Sequence, residues 1–365
     1  MLFRSHRLTV IGEGGVGWVG DGWTPDFLAP EWKAAARYEA PNIPGRNESV
    51  LVDVVFNEED QQPTWRLQRS GGGIGVALSL GPKATAELGY RVQFRKLLDL
   101  DPGVLLAGDP WLDELQVSDL ANPSPVLPSA VRAQSGLDVS FVVDLRNDPF
   151  NPTSGGIGNV ALKVTDEVFS DLTFVQGEGS LSWWLPVGGF GLQGRLRGGA
   201  AWVPTGNGTV PLEDRFRLGG GASLRGFAID TVGPANEVSR EEIPFNDALR
   251  PIVDYAGRDE PTRWVPTGGD AMGLASLEFR IPLERIGLKR WAGTQLAVFS
   301  DVGNVWLIDP TLADSGATDP FLRWSVGLGV RRATVIGPIQ VDLGFDPARL
   351  RDEALAQLHV SLGAL

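Results

Sequence analysis

Apolar and polar side chains alternate with a period of two through most of this chain, and the polar parity is too charged for an ordinary core. From Ala275 to Ile281 one side reads Ala275, Leu277, Phe279, Ile281 and the other Ser276, Glu278, Arg280. From Leu192 to Trp202 one side ends in Trp and the other carries Gln193, Arg195 and Arg197. From Phe321 to Val330, Leu322, Trp324, Val326, Leu328 and Val330 face Phe321, Arg323, Ser325, Gly327 and Gly329. Successive strand side chains point to opposite faces, so each segment makes a two-faced strand. A soluble sandwich alternates too, but large polar residues on the inner side fit a water-filled lumen better.

Strands are predicted at 6–19, 32–40, 47–57, 62–70, 73–81, 85–97, 136–146, 156–168, 172–186, 190–204, 270–283, 293–306, 321–333, 335–346 and 355–365. A single-chain bacterial barrel has an even number of strands. One more is therefore expected in the Pro-rich 111–134 stretch, giving an all-β, sixteen-stranded transmembrane antiparallel barrel. Short turns such as Gly81-Pro82-Lys83 alternate with long connections at 99–134, 205–269 and 307–320, as short turns on one rim and long loops on the other require. No run of about 18 apolar residues offers a spanning helix. Trp18, Trp32, Trp183, Trp184, Trp202, Trp291, Trp306 and Trp324 lie near strand ends, where an interfacial aromatic girdle would place them; burial as ordinary core is the alternative.

The net charge of −13 argues against a nucleic-acid partner. The absence of Cys excludes disulfides and thiolate metal sites. No G-x-S-x-G motif occurs, and the two histidines, His6 and His359, stand at opposite ends, so no catalytic residue, metal or cofactor is predicted. Gly15-Val16-Gly17-Trp18-Val19-Gly20 fits G-x-G-x-x-G but runs into a turn, not a helix, and reads as a glycine-rich strand.

Two segments exceed what strands and turns demand. Arg215-Phe216-Arg217-Leu218-Gly219-Gly220-Gly221-Ala222-Ser223-Leu224-Arg225-Gly226-Phe227 lies within the long 205–269 connection. Asp144-Leu145-Arg146-Asn147-Asp148-Pro149-Phe150-Asn151-Pro152-Thr153-Ser154-Gly155 follows a strand; a generic β-turn would account for its Asp, Pro and Gly content, but not for its length. Further on come Ser276-Leu277-Glu278-Phe279-Arg280 and Phe299-Ser300-Asp301-Val302-Gly303.

In this order the segments resemble the C-terminal barrel (bacterial surface antigen) domain of the BamA/TamA outer-membrane assembly-factor superfamily. The hairpin of Gly327 to Arg331 and Ile336 to Asp342 resembles that family's penultimate hairpin, and Tyr38 to Arg46 more weakly its R-N-L-F-G turn. The resemblance implies that the long loop folds back into the lumen through Arg215, Phe216, Gly219, Gly220, Arg225, Gly226 and Phe227, and that Glu278 and Asp301 receive Arg225. Gly219 to Gly221 would allow the returning backbone path. Asp144, Arg146, Asp148, Pro152 and Gly155 are then the family's turn motif. An arginine drawn into a lumen needs opposite charge to offset its lost hydration.

The resemblance implies a bacterial or organellar outer-membrane barrel, not an enzyme, that assists insertion or translocation of other outer-membrane proteins through the seam between its first and last strands. Its partners would be outer-membrane lipids, unfolded outer-membrane protein clients, and periplasmic or lipoprotein assembly factors. The alternative is a translocator or anchor barrel of the wider superfamily, of two-partner secretion or phospholipase-linked type. Residues 1–365 are read as one barrel domain without POTRA domains. Met1 to Arg7 lacks the apolar core of a signal peptide, and the chain ends on Leu365 where the family ends on an aromatic residue.

Overall fold

Strand pairing accounts for nearly all regular structure in the computed structural model, which describes residues 7–19, 27–41, 48–62, 64–98, 131–149, 151–170, 173–204, 210–239, 262–308, 321–332, 334, 338–348 and 354–362. The strands are β1 (Arg7–Val19), β2 (Phe27–Pro41), β3 (Glu48–Gln62), β4 (Trp65–Ser79), β5 (Ala84–Leu98), β6 (Arg132–Asp144), β7 (Gly155–Thr165), β8 (Val175–Val187), β9 (Phe190–Trp202), β10 (Ala235–Ser239), β11 (Thr262–Pro266), β12 (Ala271–Pro282), β13 (Thr294–Trp306), β14 (Arg323–Arg332), β15 (Ile339–Phe345) and β16 (Ala356–Leu362). Fourteen of them form one antiparallel sheet in chain order, with β9 beside β12, while β10 and β11 pair separately inside the β9–β12 connection. Among the described residues no α-helix occurs, and no helix is long and apolar enough to cross a membrane.

The sheet departs from the predicted strand list at one point. Segments 62–70 and 73–81 form the single strand β4, paired with β5 from Arg66 to Ser79. The intervening Gly71-Gly72-Gly73, which in the sequence suggests a break, is a place of close approach. A Cβ on Gly71 would lie 2.2 Å from the Val92 carbonyl oxygen, and one on Gly73 2.8 Å from that of Tyr90. The wall therefore shows fourteen described strands, not sixteen. Most of the 111–134 segment, and the 42–47 part of the weaker turn resemblance, lie outside the described residues. The G-x-G-x-x-G match runs along β1 as a strand from Gly15 to Val19; its last residue, Gly20, lies outside the described residues.

The sheet is inside out relative to a soluble protein. On β14, Arg323, Ser325 and Arg331 are 2%, 0% and 5% exposed, whereas Trp324, Val326, Leu328 and Val330 are 45%, 39%, 50% and 43% exposed. Such a continuous apolar outer face marks a surface covered by something other than water. It is the pattern of a lipid-facing wall around a polar interior. Connections after β4, β6, β8, β12 and β14 share one rim; the long ones after β5, β9 and β13 share the other. Exposed Trp202 and Trp324 lie near the long-loop rim, and exposed Trp183 and Trp291 near the short-turn rim. Trp184, expected in the girdle, is instead buried because its parity points inward.

The wall is uneven in height. Strands β1 to β5 run 13 to 15 residues, whereas β14 has 10 and β15 and β16 have 7 each. Among the described residues no ladder joins β1 to β16.

Placing arginine at Leu328, halfway along β14, should cost ~2–4 kcal/mol in a bilayer-folded barrel, and the same change at Val330, nearer the rim, only ~0–1 kcal/mol. Denaturant unfolding in lipid vesicles checks this. Equal costs at both positions would mean that the outer face is not in contact with hydrocarbon.

Candidate functional site

The β9–β12 connection returns along the inner face of the sheet. Its two arms hold each other: Phe216 N–H donates to the Gly269 carbonyl (2.8 Å), the Phe216 carbonyl accepts from Gly269 N–H (3.0 Å), and Val232 N–H donates to the Leu218 carbonyl (2.9 Å). Arg215, 9% exposed, braces the root, its Nε donating to the Val210 carbonyl at 2.9 Å. The loop carries its own apolar underside. Phe216, Leu218, Leu224, Phe227 and Val232 pack with Phe174, Met272, Leu274 and Val305 into one buried cluster. Phe216 fits against β9 because position 199 is glycine; a Cβ there would lie 2.6 Å from its ring.

Gly219 and Gly220 both have positive φ, 124° and 90°. At Gly219 a Cβ would sit 2.1 Å from the Ala228 carbonyl oxygen, so glycine is required there on both counts. Gly221 is not left-handed; its missing side chain makes room for His359 of β16, whose Cβ would lie 3.0 Å away. The Ser223 hydroxyl donates to the Gly219 carbonyl at 2.6 Å and receives from its N–H, stitching the bend. Gly226, φ 102°, lies flat on β14 and β15, with Ser325 Cβ 2.9 Å and the Phe345 backbone 3.2 Å from where its Cβ would be. Phe227 stands next to it beneath the Arg323 guanidinium, 4.8 Å from the ring centre.

This path delivers Arg225, 5% exposed, to the inner wall. Its Nε and Nη2 donate to the two oxygens of Asp301, each at 2.8 Å, and its backbone N–H donates to the same carboxylate at 3.1 Å. Its Nη1 donates to Glu278 at 2.6 Å. The guanidinium lies 3.5 Å from the centre of the Phe299 ring. The planar fork thus engages two carboxylates and an aromatic face, which a lysine cannot do. Burial alone would lower the Arg225 pKa, but the hydrogen bonds and charge of Asp301, then Glu278, outweigh it and raise it further.

Register explains how the two carboxylates converge. On β12 the inward parity is Ser276, Glu278, Arg280; Ser276 stands opposite Asp301 of β13 and bonds its carboxylate. Glu278 also receives Arg331 of β14 (2.8 Å) and Arg280 (2.7 Å), and Arg331 pairs with Asp342 of β15 at 2.7 Å. Sequence reasoning placed Arg331 and Asp342 in a hairpin without assigning them to this cluster. Arg195 of β9, visible in the sequence only as a cation on the inward parity, donates to the carbonyls of Ala222 (2.8 Å) and Ser223 (2.9 Å).

A second anchor lies across the interior and was not anticipated. Asp214, in the 3-10 turn Leu212–Asp214, receives Arg95 Nη1 of β5 and Lys163 Nζ of β7, each at 2.7 Å, and Gln134 of β6 at 3.1 Å. One loop thus grips the inner faces of β5, β6 and β7 at its root and of β12 and β13 at its tip. The sheet curves around it.

The Asp144 turn is separate from these clusters, at the short-turn rim between β6 and β7. Arg146 donates two guanidinium bonds to Asp144 (2.9 and 2.7 Å) and one to the Pro149 carbonyl (2.9 Å). The hydrogen bonds to Asp144 raise the Arg146 pKa against the opposing effect of burial. Asp148 receives the Asn151 N–H at 3.3 Å. Gly155 has φ 90°, and half-buried Pro152 precedes it by three residues.

A family model for the Omp85 superfamily domain matches residues 27–364. The outer membrane protein assembly factor BamA of Nitratidesulfovibrio vulgaris is 25% identical over 305 residues, 80% of this chain and 31% of that protein. The mouse sorting and assembly machinery component 50 homolog is 30% identical over 114 residues, 30% of this chain and 24% of its own length. The chain thus spans a third or less of these relatives. In three dimensions it is similar to BamA from Haemophilus ducreyi lacking POTRA domains 1-3, with a TM-score of 0.74, 18% identity, and coverage of 98% of this chain and 70% of that one.

Proposed function

On the premise that this chain belongs to the Omp85 superfamily and is an outer-membrane β-barrel, bacterial or organellar, we propose that it assists the insertion or translocation of other outer-membrane proteins through the seam between β1 and β16. The observation that carries this reading is the inequality of the two edges. A thirteen-residue β1 stands at one end of the sheet order and a seven-residue β16 at the other. Unpaired backbone groups are costly in hydrocarbon, and an exposed edge is a template for an added strand. The Gly12, Gly14, Gly15 and Gly17 cluster of β1 weakens its pairing further. The bound loop holds the β12 and β13 inner wall in place while the seam opens.

Residues 1–365 act in this reading as one barrel unit, without catalysis or a cofactor. Its partners are lipids, unfolded barrel clients and assembly factors. A translocator or anchor barrel of two-partner secretion or phospholipase-linked type would use the interior instead. The apolar cluster beneath the loop, which fills the interior near β9, β12 and β13, favours the seam.

The test uses the chain in liposomes with a urea-denatured barrel client, whose folding is followed by protease protection. Paired cysteines across β1 and β16, in a chain that has no native Cys, are introduced at several registers. A disulfide forms only if the two Cα atoms come within about 7 Å. Client folding should be accelerated by the reduced protein, lost on oxidation and restored by reductant. Undiminished acceleration in a fully cross-linked seam would overturn the proposal.

A further inference from the structure

The turn between β12 and β13 is unlike the other described turns at its rim. Residues 283–293 carry Arg285, Lys289 and Arg290 against the single acid Glu284, in a chain whose net charge is −13. All three cations are exposed. Among them Ile286, Leu288 and Trp291 are 53%, 46% and 42% exposed. Two short 3-10 turns hold this arrangement, and Arg290 lies over the Trp291 ring at 5.7 Å. The described turn after β4 carries one cation, Lys83, and that after β8 carries none. Apolar side chains mixed with cations at the end of a lipid-facing wall match a membrane interface, where Trp anchors and basic residues meet headgroup phosphates.

A hollow in the outer wall lies directly above this turn. It has a volume of about 550 Å³ and is lined by outward Leu277, Phe279, Val298, Val326, Leu328 and Phe345. The hollow exists because the outward residue at its centre is Ser300, paired with Leu277 on one side and Val326 on the other. From Leu277 to Pro282 the strand descends five residues, on the order of 17 Å at strand rise. An acyl chain lying in the hollow would therefore bring its headgroup to the cationic turn.

We propose that this face binds one anionic phospholipid, with an acyl chain over Ser300 and its phosphate among Arg285, Lys289 and Arg290. The occupant follows from two observations of different kind, an almost wholly apolar hollow and a local excess of cations at its foot. Each basic residue near an anionic membrane surface strengthens attraction about fivefold, so the three together favour an anionic over a zwitterionic headgroup by roughly a hundredfold.

The experiment reconstitutes the full chain in nanodiscs of phosphatidylcholine with a minor fraction of phosphatidylglycerol, extracts it in mild detergent and quantifies retained lipid by native mass spectrometry. The wild type should retain one phosphatidylglycerol in preference to phosphatidylcholine. Arg285→Gln with Lys289→Gln and Arg290→Gln should lose that preference, while replacement of both arginines by lysine should keep it. Ser300→Phe, which fills the hollow and leaves the cations, should reduce retained lipid of either kind. Electrophoretic mobility of the unheated folded barrel controls for folding in each variant. No headgroup preference in the wild type, an unchanged preference in the triple glutamine variant, or full retention in a folded Ser300→Phe variant would each overturn the proposal.

Discussion

Arg225→Ala is expected to destabilise the folded barrel by roughly 3–5 kcal/mol, the cost of leaving a buried charge without its partner. The two carboxylates it leaves are not equivalent. Glu278 keeps Arg280 at 2.7 Å and Arg331 at 2.8 Å. Asp301, 0% exposed, loses both guanidinium bonds and keeps Ser276 and whatever the displaced backbone N–H still offers. The stranded charge is therefore that of Asp301. Adding Asp301→Asn to Arg225→Ala should recover a large part of the loss, because the pair shares one interaction. Adding Glu278→Gln should recover little, since it takes the carboxylate partner from Arg280 and leaves Arg331 with Asp342 alone. Denaturant unfolding in lipid and protease sensitivity of the 210–239 segment measure both effects. Strictly additive costs for Arg225 and Asp301, or equal rescue by the two carboxylate changes, would show that the cluster does not act as drawn.

The wall was legible in the sequence because lipid and interior impose opposite demands on alternate residues, so β9, β12 and β14 declare both their faces. The β4 strand was misread for a related reason. Gly71 to Gly73 have no side chains to alternate, and the reason for their smallness is the neighbouring β5 backbone, which is not a local feature. The bonds of Arg225 to Glu278 and Asp301 were anticipated through resemblance and order alone; a strand carboxylate by itself carries no such message. Arg95, Lys163 and Asp214 offered no signal. The contacts span 119 and 51 residues, and nothing local distinguishes an inward lysine that faces water from one that faces a loop aspartate.

That second anchor supports the other large effect. Burial would raise the Asp214 pKa, but the charges of Arg95 and then Lys163, with their hydrogen bonds, hold it well below the usual carboxylate range. Its neighbour Glu213 is pushed the opposite way, first by burial and then by the Asp214 charge. Glu213 stands 3.9 Å from Arg95, close enough to take over when Asp214 is neutralised. Asp214→Asn should cost up to roughly 3–5 kcal/mol, the range for breaking a buried pair. The figure falls at the lower end if Glu213 substitutes and at the upper end when Glu213→Gln is added. The pH dependence separates these cases. A carboxyl depressed in the folded state contributes stability that is complete above its unfolded value, about 4, and is lost only as pH falls through the lower folded value. A carboxyl raised in the folded state works against the fold at neutral pH, and that penalty is relieved as pH falls through its folded value. The wild-type loop root should therefore stay attached through the ordinary carboxylate range. In Asp214→Asn that acid-labile contribution is gone at every pH, and the penalty on Glu213, raised by burial, is relieved as pH falls, so the root should be looser than wild type at pH 7 and should not loosen further through the carboxylate range. Limited proteolysis of the loop across pH 3–7 in folded barrels reads this directly. Because the Asp214 and Arg225 clusters share no residue and grip opposite walls, the two losses should add to within about 0.5 kcal/mol. Wild-type protection of the loop at pH 7 in Asp214→Asn, or strong non-additivity with Arg225→Ala, would show that the loop is held as one block and not by two independent anchors.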